Sequence, residues 1–61
     1  MNVLQLISVS DYHQKIIIKE RCKRDLILMY NGLVGEVPAN LIHKYIEKLQ
    51  IIRRKIVLIV H

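Results

Sequence analysis

Ten Lys and Arg, five Asp and Glu, three His and one Cys are the side chains of this 61-residue sequence with chemistry to offer. A structural zinc wants four well-spaced ligands. His13, Cys22, His43 and His61 supply suitable atoms without a CxxC or HxxxH interval, so no metal site is expected. Cys22 lies among cations, but nucleophilic catalysis also needs a positioned base and a pocket, and so short a chain has little room for one. Asp11, Glu20, Asp25, Glu36 and Glu47 show no pairing that points to general acid–base work. There is no glycine-rich phosphate loop. The expectation is a protein that is not an enzyme and carries no cofactor.

The cations are the stronger signal. The formal net charge is +5, and every Lys and Arg falls between Lys15 and Lys55. Three groups stand out: Lys19, Arg21, Lys23 and Arg24; then Lys44 and Lys48; then Arg53, Arg54 and Lys55. A basic stripe suits a phosphate backbone, because each neutralised phosphate releases counterions. The candidate nucleic-acid contacts are Arg21, Lys23, Arg24, Lys44, Lys48, Arg53 and Arg54. Against this stands an ordinary solvated surface that keeps a sticky small protein in solution. Tyr12, Tyr30 and Tyr45 are the only aromatics, so duplex backbone contact is favoured over stacking on single strands.

These residues need a scaffold, and size restricts it to one domain, residues 1–61. A chain of about 60 residues buries only about 60% of the surface it exposes when unfolded, so small domains usually need a staple. One cysteine permits no internal disulfide, and self-association is the remaining candidate. Hydrophobic residues make up 52%, which argues against a disordered tail. The longest apolar run, Ile56 to Val60, is far short of the roughly 20 residues of a membrane span. Residues 1–9 lack the basic start of a signal peptide. A cytoplasmic protein without membrane contact is expected.

Pattern reading along the chain predicts β-β-β-β-α-β, an α+β domain with a small antiparallel sheet and one amphipathic helix. Residues 3–9 (VLQLISV) and 15–20 (KIIIKE) read as strands, and 21–24 as the loop that follows. Residues 25–30 and 33–37 read as a hairpin about Asn31-Gly32, the preferred pair for a type I′ turn. Leu41, Ile42, Tyr45, Ile46 and Leu49 fall at helical spacing behind an Asn40 cap, which predicts a helix over about residues 39–51. Residues 55–60 (KIVLIV) form an unbroken apolar strand, the kind normally buried on both faces. The turns would set the two dense basic groups at opposite ends of the sheet, with Lys44 and Lys48 between them on the helix.

Two short segments resemble small β-barrel families. The run Gly35-Glu36-Val37-Pro38-Ala39-Asn40-Leu41-Ile42 resembles the closing segment of SH3 domains. The pair 26–32 (LILMYNG) and 52–57 (IRRKIV) is similar to the two motifs of Sm-like RNA-binding proteins. Each resemblance implies an SH3-like or Sm-like barrel as the alternative fold, and neither carries over a residue role.

One helix cannot cover both faces of such a sheet, so it must curl into a barrel or be covered by a second subunit. The expected function is a small basic nucleic-acid-binding protein, a regulator, that forms a homo-oligomer with a dimer first. Its interface would be Ile56, Val57, Leu58, Ile59 and Val60. The alternative is a small interaction module or inhibitor, of the mobile-element type, docking on another protein through the same strand.

Overall fold

The computed structural model describes residues 1–61. It is an α+β molecule built on a four-stranded mixed sheet, with one short helix and one 3-10 turn. The elements are α1 (Val3–Ile7), β1 (Lys15–Cys22), β2 (Asp25–Leu33), the 3-10 turn (Val34–Glu36), β3 (Ile46–Ile52) and β4 (Lys55–Val60). Strand order is β2-β1-β4-β3. Two antiparallel hairpins, β1–β2 and β3–β4, lie side by side, joined by parallel pairing of β1 with β4.

The sheet does not close. β2 and β3 are free edges, so neither the SH3-like nor the Sm-like barrel is formed. Residues 55–60 form the predicted strand, and β1 extends the predicted 15–20 strand to Cys22. The sheet is mixed rather than antiparallel, because β1 and β4 pair in parallel, and the expected return strand over 33–37 gives way to the 3-10 turn after Leu33. Three other expectations are corrected.

The first concerns the N-terminal segment, which is helical rather than extended. Asn2 Oδ1 accepts from the Gln5 amide at 2.9 Å, and Asn2 N–H donates to Gln5 Oε1 at 2.8 Å, a reciprocal capping box. Val3, Leu6 and Ile7, three and four residues apart, then share the face turned to the sheet. Ser8 and Ser10 hydroxyls donate to the Leu4 and Leu6 carbonyls and finish the turn.

The second concerns Asn31-Gly32, which lies within β2 and is not a turn. Gly32 pairs with Ile16 and has no positive φ. Its missing side chain has another use: a Cβ there would sit 2.7 Å from Tyr30 Oη. The Tyr30 ring folds across the glycine, and its hydroxyl donates to the Leu33 carbonyl at 2.7 Å. Gly35 does the same for Tyr12, whose ring would lie 2.1 Å from a Cβ. The hairpin turn of β1–β2 is instead Lys23-Arg24.

The third is the helix over 39–51, which is absent. Residues 39–44 are turns, held by Leu41 N–H on the Pro38 carbonyl and Lys44 N–H on the Leu41 carbonyl. Residues 46–52 form β3, because β4 offers a partner through a two-residue turn and Ile46, Ile51 and Ile52 are β-branched. The helical spacing of Leu41, Ile42, Tyr45, Ile46 and Leu49 was compatible with either structure, and long-range pairing decides it. The predicted β-β-β-β-α-β order is thus replaced by α-β-β-β-β.

The core lies on one face. Val3, Ile16, Ile18, Val34, Leu41, Leu58 and Val60 form it, roofed by α1 and by the crossover of residues 34–45. Backbone bonds stitch the roof together: Val3 and Leu4 amides donate to the Lys44 and Ile42 carbonyls, and Ile46 N–H donates to Met1. The helix's otherwise orphaned first donors are thereby satisfied. No element covers the opposite face. Replacing Leu58 by Ala should cost about 2–5 kcal/mol. Replacing Ile51, which is 72% exposed, should cost about 0.5 kcal/mol or less. Urea denaturation of both variants checks the contrast.

Candidate nucleic-acid interface

Strand alternation sorts the side chains of the sheet. On β1 the even residues Ile16, Ile18 and Glu20 face the roofed core, and Lys15, Ile17, Lys19 and Arg21 face the open side. Parallel pairing carries this across: Lys55, Val57 and Ile59 of β4 lie on the open side. Antiparallel pairing adds Lys48, Gln50 and Ile52 from β3, and Leu26 and Leu28 from β2. The open face therefore has an apolar centre fringed by cations. Part of it is a shallow depression of about 440 Å³, lined by Ile17, Lys19, Gln50, Ile52, Arg53, Lys55 and Val57.

Ion pairing leaves most of the cations free. Arg21 Nε donates to Glu47 Oε1 at 2.7 Å, and Lys44 pairs with Glu20 on the roofed side. With these two taken from the ten Lys and Arg, eight have no carboxylate partner. All eight are on the open face or in the two hairpin turns at its ends: Lys15, Lys19, Lys48 and Lys55 on the strands, Lys23 and Arg24 in one turn, Arg53 and Arg54 in the other. Glu20 and Asp25 alternate to the other side. Glu47 sits at a corner, held by Arg21 and 3.8 Å from His61 Nδ1. The open face is thus almost purely positive.

Among the predicted contacts, Lys23, Arg24, Lys48, Arg53 and Arg54 belong to this surface. The two turns lie at opposite ends, as the stripe required, because β4 runs parallel to β1. Lys44 does not belong to it, since it sits on the crossover with Glu20. Arg21 is on the open side but is occupied by Glu47. Lys15, Lys19 and Lys55 were not among the named contacts, although Lys19 and Lys55 stood in the basic groups. Their alternation with Ile17 and Val57 on two strands was the signal that could have found them.

The β4 interface also needs correction. β4 is an inner strand with both edges paired, so it cannot dock edge to edge. Leu58 and Val60 are buried in the core, and Ile56 is partly buried against it. Only Val57 and Ile59 turn to the open side, where Ile59 is already covered by its neighbours.

Backbone conformation marks the cationic turns. Arg53 and Arg54 have φ of 51° and 65°, and Lys23 has φ of 59°. Paired left-handed residues make a type I′ turn, for which Asn-Gly is the favoured sequence. Non-glycine residues there cost about 1–2 kcal/mol each. The Arg53-Arg54 turn is pinned by Gln14, whose Nε2 donates to the Arg54 carbonyl at 2.6 Å and the Lys15 carbonyl at 3.0 Å. Such strain persists where the surroundings over-determine it, and it collects at functional sites.

No three His, Cys, Asp or Glu residues gather at metal-binding distance. Cys22 is exposed at the end of β1, opposite Asp25. No helix is long and apolar enough to cross a membrane. Comparison with protein-family models, curated proteins and solved structures returns no match.

Replacing Arg53-Arg54 by Asn-Gly should stabilise the protein by about 1 kcal/mol, since the backbone shape is kept and its steric cost relieved. Thermal and urea unfolding of the double variant measure it. No gain would mean that the two arginines carry no strain.

Proposed function

We propose that this protein is a small, cytoplasmic, non-enzymatic nucleic-acid-binding protein, a homo-oligomer with a regulatory role, whose open sheet face lies against a phosphate backbone. One observation carries the reading: eight cations without a carboxylate partner share a single face and its two ends, and Glu47, the strand carboxylate beside them, is already occupied. A surface meant only for solubility mixes both signs. Here the sheet's negative residues are turned away or neutralised, which leaves a field that attracts polyanions.

Shape and composition support duplex over single strand. The longest dimension is 31 Å, about nine base-pair steps at 3.4 Å each. Tyr30 faces the roofed side and Tyr12 packs over Gly35, which leaves Tyr45, exposed beside His61 at the Arg21–Glu47 corner, as the one tyrosine near the open face. Base stacking, which dominates sequence-tolerant single-strand binding, would have a single ring at one corner and no row of platforms along the face. Contact is therefore to phosphates, which position a protein without reading sequence.

The apolar centre favours a second reading, an interaction module. Ile17, Val57, Leu28 and Ile52 would accept the apolar side of an acidic protein segment while the surrounding lysines meet its carboxylates. Salt separates the two. If all eight free cations engage phosphates, log K falls against log[salt] with a slope of about −7. The Lys19→Ala/Lys55→Ala variant should reduce that slope by about 2, and so should the Asn-Gly turn variant. Gel retardation and fluorescence anisotropy between about 50 and 200 mM salt measure these slopes. A wild-type protein that fails to retard duplex at the lower salt removes the nucleic-acid reading and leaves the module.

A further inference from the structure

The edge strand β2 carries Leu26, Ile27, Leu28 and Met29 in succession, all exposed, with Leu28 at 58%. Its outer backbone edge has no neighbouring strand. Long, apolar, uncharged edges are the ones that pair with another chain. Natural proteins blunt such edges with lysines or bulges. β3, the other edge, has both protections, with Lys48 in the strand and a bulge beside it. β2 contains no Lys or Arg, and its only charge, Asp25, stands at the end beside the turn. Its own irregularity, opposite Ile18/Lys19, falls at the far end of the apolar run.

We infer that β2 is the self-association edge, pairing antiparallel with β2 of a second copy to make one continuous eight-stranded sheet. Charge selects this occupant. A second copy brought onto the open face would set lysines against lysines, whereas β2 against β2 opposes no cations. Symmetry then has a consequence. A two-fold axis normal to the sheet reverses the strand direction, as antiparallel pairing requires, and keeps both open faces on the same side. The two basic surfaces merge into one, with sixteen free cations where each copy has eight. The apolar surface of Leu26 and Leu28 is then divided between copies at the centre of that face.

This identifies the self-association within the proposed function and rests on that part alone. Its test uses no nucleic acid, so its failure is distinguishable from failure of the phosphate-binding reading. Light scattering and sedimentation of the full chain should report twice the 7.2 kDa chain mass. Leu28→Lys should return the mass to one chain with an unchanged circular dichroism spectrum, because the residue is exposed and only the pairing is charged. Ile52→Lys, on the protected edge, should remain dimeric. Leu26→Lys is the second test of the same edge if Leu28→Lys does not fold. Amide exchange supplies an independent readout: the outward amides of β2 should lose protection on dilution, and those of β3 should not change. A single-chain mass for the wild type up to about 1 mM, the weak end of specific association, overturns the inference. So does a folded Leu28→Lys or Leu26→Lys variant that stays dimeric.

Discussion

The parallel seam between β1 and β4 is the interaction on which the rest of the molecule depends. Each hairpin alone is a two-stranded ribbon, marginal in water. The seam sets Ile16 and Ile18 beside Ile56 and Leu58, and this creates a surface broad enough for α1 and the crossover to cover. It also determines what remains outside. Once β1 and β4 are inner strands, β2 and β3 must be the edges, and the odd residues of β1 must face away from the only roof the chain has. The position of the basic surface is therefore a by-product of how the core is assembled. The seam joins residues about forty positions apart, so its closure costs more chain entropy than either local hairpin, which needs only a short loop.

Charge and burial are separated with unusual economy. Glu20 and Lys44 pair on the roofed side, and Arg21 and Glu47 close one corner. Half-exposed pairs of this kind contribute about 0–1 kcal/mol, so stability is not their main effect. What they do is remove negative charge from the neighbourhood of the lysines. Lys19 and Lys55 line the same depression as Ile17 and Val57, so a greasy sheet face can stay wet at its rim. The same face is unsuited to a like-charged copy.

Local sequence patterns were legible where one explanation sufficed. Residues 55–60 and 15–20 are β-branched and apolar, and both are strands. That one helix could not shelter the whole sheet was also readable from amount alone, and the sheet is covered on a single side. Legibility failed where one residue pair served two physical purposes. Asn31-Gly32 has the composition of a turn, but Gly32 is there to admit the Tyr30 ring. The true turns are Lys23-Arg24 and Arg53-Arg54, which turn statistics would pass over. The capping box between Asn2 and Gln5 was visible in the sequence and was outweighed by the β-branched and apolar residues around it. For residues 46–52, period alone could not decide, because the partner strand lies beyond the local window. The cationic groups at the two ends of the sheet were found by their clustering. Lys15, Lys19 and Lys55 were left off the contact list because their place on the face depends on register, which only the parallel seam defines.

The two glycine seats imply a rule of inheritance. At Gly32 and Gly35 an aromatic ring occupies the volume a side chain would need, so each glycine and its tyrosine behave as one unit. A methyl group gained at position 32 is tolerable only where Tyr30 has shrunk or swung away, and the same holds for position 35 with Tyr12. Effects at such touching sites are not additive. In any lineage that keeps this fold, the ring and the bare backbone beneath it should therefore be exchanged together.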